Sequence, residues 1–131
     1  MEKYSINGVS LLKNEKAIFP MMGEFHFSRC PEKEWEDEIR KMKACGMDII
    51  ATYVFWIHHE EEEGVFAFSG QRNLHRFLEL CEKWQMHVWL RIGPWAHGEA
   101  RNGGFPDWLL KKGYKLRSDD LDYLALVERF W

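Results

Sequence analysis

No run in this 131-residue chain is apolar for long enough to cross a membrane as a helix. Its net charge is −3 and no basic stripe runs along it, so the electrostatic footprint of a nucleic-acid binder is absent. Cysteine is sparse. Cys30, Cys45 and Cys81 stand far apart, in odd number and without metal-type spacing, which argues for reduced thiols rather than a disulfide framework. Cys45 and Cys81 fall on apolar helical stripes and read as small buried hydrophobes. The start, Met1-Glu2-Lys3-Tyr4, lacks the basic and apolar regions of a signal peptide; that is expected of a cytoplasmic protein, or of a secreted or periplasmic one whose signal has been removed. Low-complexity tracts and linkers are missing as well, so residues 1–131 read as a single unit.

What is abundant is aromatic. Seven Trp and nine Phe must be used in a core or a binding cleft, since large rings are costly to leave in water. Residues 1–18 hold two short apolar pieces around Asn7-Gly8, the signal of a small hairpin. From residue 19 to 131 apolar runs alternate with amphipathic stripes. Phe19–Ser28 is a first strand; Pro31-Glu32-Lys33-Glu34 opens a helix carrying Trp35, Ile39, Met42 and Cys45 on one face and stopping at Gly46. Met47–Trp56 reads as a strand covered on both faces, and His87–Ile92 as a third. Between them a helix spans Asn73–Gln85, with Leu74, Phe77, Leu78, Cys81 and Trp84 on one stripe. A last helix, capped by Ser118-Asp119-Asp120, presents Leu121, Leu124, Val127 and Trp131.

The order β-α-β-α-β-loop-α predicts an α/β fold with a parallel sheet, either doubly wound or a (β/α)8 TIM barrel. Three strands cannot close and would leave apolar edges, which invite self-association. The chain therefore reads as a partial barrel, the first three β/α units of a structure that typically takes about 250 residues.

The third strand opens into Gly93-Pro94-Trp95-Ala96-His97-Gly98-Glu99-Ala100-Arg101-Asn102-Gly103-Gly104, a loop dense in aromatic and ionisable side chains with no core-packing logic. A buried strand whose C-terminal end opens this way is how such barrels build active sites. Rings beside a carboxylate, a guanidinium and an amide suit a sugar, which offers flat C–H faces and hydroxyls. A carbohydrate is the expected partner, with no nucleic acid, membrane or cofactor.

Three segments carry a resemblance. Gly23-Glu24-Phe25-His26-Phe27-Ser28-Arg29 matches Gly-x-x-His-Tyr/Phe-x-Arg; Thr52-Tyr53-Val54-Phe55-Trp56, followed by His59-Glu60, matches Thr-Tyr-Val-Pro-Trp and a His-Glu pair. Leu90 to Leu109 matches, without a gap, Leu-Arg-Pro-Gly-Pro-Tyr-Ile-Cys-Ala-Glu-Trp-x-x-Gly-Gly-Leu-Pro-x-Trp-Leu. In this order they resemble the glycoside hydrolase family 35 β-galactosidases. The chain departs from that pattern at Phe55, Trp95 and Ala96-His97-Gly98, and Ala100 replaces the Trp after the key Glu.

The resemblance implies a retaining β-galactosidase-like enzyme whose general acid/base and nucleophile Glu residues lie beyond Trp131, so this chain is expected to hold no catalytic residue. It implies that Glu99 contacts sugar hydroxyls, that the Tyr53 hydroxyl reaches a sugar oxygen, and that the Gly98 backbone approaches the ring. The bland readings are a solvated loop Glu and a packed strand Tyr. Trp56 and Trp95 are stacking platforms or core residues; Arg29 and Arg91 hold carboxylates; His26, His97 and Asn102 support the contacting residues. His58-His59-Glu60 lacks a third ligand of matching spacing, so no metal is expected. The run Glu60–Glu63 reads as a solvated, self-repelling loop. The runners-up are a truncated non-catalytic carbohydrate-binding or pseudoenzyme protein, and a different barrel hydrolase with Glu99 as the acid.

Overall fold

A computed structural model describes residues 2–131; Met1, the first residue of the hairpin region, lies outside them. The N-terminal region is a three-stranded antiparallel meander rather than a hairpin, with β1 Tyr4–Ile6, β2 Leu11–Lys13 and β3 Lys16–Ile18. Its first turn is fixed by Asn7, whose Oδ1 accepts the N–H groups of Val9 (3.1 Å) and Ser10 (2.8 Å). Its second turn, Asn14-Glu15, has both residues at positive φ (49° and 67°), the geometry of a two-residue hairpin that sequence rules assign to Asn-Gly rather than Asn-Glu.

The second sheet is parallel in the order β4-β5-β6, with β4 Met22–Glu24, β5 Ile49–Tyr53 and β6 His87–Arg91. Each strand is shorter than the apolar run that contains it. The span Phe19–Ser28 leaves the sheet at Phe25, whose N–H makes its last bond to Ala51 O (2.9 Å). Phe27 is then drawn under the first helix, fully buried against Trp35 and Phe77, while Trp35 Nε1 donates to Phe27 O and Cys30 O (3.0 and 2.9 Å). Beyond Tyr53 the run Val54–Trp56 is likewise buried but not strand, and Trp56–His59 forms the short helix α2.

Helix α1 spans Trp35–Ala44 and ends at Gly46 (φ 83°), where glycine relieves the left-handed backbone. Helix α3, Leu74–Lys83, starts at Asn73, whose side chain accepts the Arg76 N–H. These two helices pack on the sheet through Trp35, Ile39, Ile50, Phe77, Leu80, Cys81 and Met86, with Leu80 rather than Leu78 carrying the contact. Cys81 is a buried hydrophobe whose thiol burial pushes up to about 12, whereas Cys45 sits exposed at the end of α1 and is not buried as expected.

The last helix, α5 Leu121–Phe130, is capped by Asp120, which accepts the Tyr123 N–H. It does not join the first two helices. It builds a second cluster with α2 and α4 (Asp107–Leu110) from Trp56, Phe105, Leu109, Tyr123 and Val127. Its buried stripe is accordingly rotated from the expected one: Leu121 and Trp131 are 81% and 66% exposed, while Phe130 stacks on Trp56 at 4.9 Å.

The Glu60 carboxylate helps fix that rotation. Fully buried, it accepts Trp56 Nε1 (2.6 Å) and the Gly64 N–H (2.7 Å) and pairs with Arg129 of α5. Glu61 pairs with Arg72 at 2.9 Å and Glu63 with Lys112 at 2.9 Å, so three of the four acidic residues are ion-paired rather than left to repel one another.

Candidate functional site

Parallel pairing puts the C-terminal ends of β4, β5 and β6 on one edge, and the segments that follow them enclose an open depression of about 810 Å³. Glu24, His26 and Arg29 come from the first segment, Tyr53 from the end of β5. Arg91, the run Trp95–Ala100 and Gly103 come from β6 and its loop. Tyr53, Gly98 and Glu99 are thus brought together, and His26, Arg29, Arg91, Trp95 and His97 line the same space. Trp56 and Asn102 do not. Trp56 is fully buried in the second core, and Asn102 Nδ2 donates to Asp107 Oδ1 at 2.7 Å, tying the loop to α4.

Packing dictates the central residues. A Cβ on Gly98 would stand 2.8 Å from Cδ2 and Cε2 of Tyr53 and 3.1 Å from Phe55, so only glycine lets the loop close on that ring. Arg29 donates to Gly98 O and places Nη1 4.0 Å from Glu99 Oε2. The Glu99 side chain is 93% exposed, and its backbone is left-handed (φ 57°), a conformation uncommon outside glycine that concentrates at functional loops. The Glu99 carboxylate thus stands in solvent at the rim of the depression, beside Arg29.

On the other side Arg91 lies over the Tyr53 ring, 3.7 Å from Cζ to centroid, and pairs with Glu24. His26 Nδ1 accepts the Tyr53 N–H at 3.4 Å and its Nε2 faces Glu24 at 3.5 Å. This assigns the neutral tautomer protonated on Nε2. Burial, then the nearby Arg29 charge, lowers the His26 pKa below the usual histidine value, which keeps the ring uncharged near neutral pH.

Glu24 was not singled out from sequence. The signal was there: it stands two residues before His26 at a strand end, and alternation puts such pairs on one face. Among the described residues no group of three or more His, Cys, Asp or Glu is placed to hold a metal ion. His59 spends Nδ1 on Ala67 O (3.0 Å), and His58 Nε2 faces Gln71 O (3.4 Å). The arrangement offers two carboxylates, two guanidiniums, a phenol and an indole around a cleft wide enough for a sugar.

A profile of glycosyl hydrolases family 35 matches residues 10–131. The chain is similar to beta-galactosidase 17 of Arabidopsis thaliana (44% identical over 131 residues, 98% of this chain and 19% of that protein). It is similar to the beta-galactosidase of Canis lupus familiaris (40% over 120 residues, 91% and 18%) and to the exo-beta-D-glucosaminidase of Pyrococcus horikoshii (47% over 101 residues, 74% and 13%). It therefore spans less than a fifth of the length of these relatives. Among solved structures, beta-galactosidase from the psychrophilic Marinomonas ef1 superposes with a TM-score of 0.60 over 72% of this chain and 13% of that one, at 16% identity; at that identity the likeness concerns the fold alone.

Proposed function

The chain belongs to glycosyl hydrolases family 35, and on that footing we propose that it is the N-terminal part of a retaining β-galactosidase-type enzyme and supplies the sugar-binding side of the active site. In this reading residues 1–18 precede the barrel and residues 19–131 form its first three β/α units. Tyr53 and Glu99 hydrogen-bond the hydroxyls of a terminal β-galactoside, and Gly98 lets the loop close on Tyr53. The observation that carries the reading is the convergence of Tyr53, Gly98 and Glu99 in one depression at the C-terminal strand ends.

Retaining hydrolysis needs two carboxyl groups about 5–5.5 Å apart across the scissile bond, one as nucleophile and one as acid/base. Glu24 and Glu99 both line the depression, but Glu24 is neutralised by Arg91 and Glu99 stands in water beside Arg29. We assign both to binding and support, and the reacting pair to later strands of the full enzyme.

A chromogenic β-galactoside assay on the purified chain tests this. The expected result is no turnover above background; turnover abolished by Glu99→Gln or Glu24→Gln would make those residues the catalytic pair. A second glycone, a β-glucosaminide, is favoured by the 47% identity with the Pyrococcus horikoshii exo-beta-D-glucosaminidase. Comparing binding of methyl β-glucosaminide and methyl β-galactoside decides between the two.

A further inference from the structure

Trp95 differs from the other large rings near the depression. Trp56 is fully buried and stacked on Phe130, and the Tyr53 ring is engaged by Arg91 and stacked with Phe55 at 5.4 Å. Trp95 lines the cavity and also packs against the second core cluster. Arg117 lies over the Trp95 ring, 4.4 Å from its centroid, and is not part of the cavity lining. The exposed His97 ring extends the same wall at 5.3 Å.

The indole is also locked in place. A Cβ on Gly103 would fall 2.0 Å from Trp95 Nε1, so the loop backbone closes directly on the ring edge, and Ala96 N–H donates to Gly103 O at 2.7 Å to hold that closure. The polar groups Glu24, His26, Arg29, Arg91 and Glu99 share the cavity with this one rigid apolar wall. A pyranose has hydroxyls at its rim and a C–H face that gains from an aromatic surface.

The geometry points to Trp95 as the stacking platform that takes the C–H face of the sugar ring and selects which face the site accepts. This rests on the sugar-binding reading above and adds a specificity-determining residue to it. The test is saturation-transfer NMR of methyl β-D-galactopyranoside with the unchanged chain, Trp95→Phe and Trp95→Leu. The unchanged chain should saturate the C–H protons of one ring face most strongly. Trp95→Phe should keep that pattern, and Trp95→Leu, apolar but without a π face, should lose it and bind about tenfold more weakly.

Equal binding and an unaltered pattern in Trp95→Leu would overturn the inference alone, as would uniform saturation of both ring faces in the unchanged chain. That last readout needs no variant to fold. No binding of the galactoside or of the glucosaminide by the unchanged chain would overturn the sugar-binding reading and this inference together.

Discussion

Gly98 meets two demands at once: its backbone carbonyl accepts from Arg29, and its missing Cβ leaves room for the Tyr53 ring. Gly98→Ala should push the phenol out of register at a cost of about 1–3 kcal/mol, the usual penalty for overpacking. Thermal melts of the variant against the unchanged chain check this, and an unaltered melting temperature would show that the ring yields freely. At this scale the candidate site was partly legible. Glu99 and Tyr53 stand out by motif and strand-end position, but the Arg91–Glu24 pair links residues 67 positions apart in separate segments, and no local signal couples them. Where Trp56 and Trp95 stand is likewise decided only by tertiary packing, which buries the first and leaves the second on the cavity wall against the second core cluster.

Among the elements, α2 with its trailing acidic residues shows why some structure hid from sequence. Trp56–His59 continues an apolar run that reads as strand, yet Trp56 stacking on Phe130 and Glu60 pairing with Arg129 make it the anchor of α5. His59, beside this anchor, is fully buried, and burial lowers its pKa from 6.5 to about 4. The folded state thus resists a proton that the unfolded chain accepts. The stability tied to the neutral ring is present in full above pH 6.5 and is lost as pH falls from there through about 4, by at most ~3 kcal/mol. His58 and His26 are shifted the same way by burial and add to the slope. Denaturant melts across this window should show the loss, and His59→Gln should flatten it; an equally steep decline in the variant would place the acid sensitivity elsewhere. The capped helices α1, α3 and α5 were legible because Gly46, Asn73 and Asp120 are local signals. The rotation of α5 was not, because distant partners set it.

At the level of the whole molecule, the described residues form two sheets and two core clusters in a chain shorter than a fifth of its relatives. The parallel order β4-β5-β6 follows from alternation of apolar runs and helical stripes, which sequence displays well. The strand ends and the second core follow from long-range burial, which it displays poorly. The outer strands β4 and β6 each have one neighbour in their sheet, and Phe19 and Trp89 are 87% and 59% exposed. None of this blocks the cleft, which lies at the opposite ends of the strands from the start of β4 near Phe19. Calorimetric titration of methyl β-D-galactopyranoside into the chain and into Glu99→Gln therefore tests the central claim most directly. Binding by the unchanged chain, weakened at least about tenfold by removing the charge-assisted acceptor, is the predicted result. Equal affinity in the two proteins would contradict it, because the Glu99 carboxylate at the cleft would then play no part in recognising the sugar.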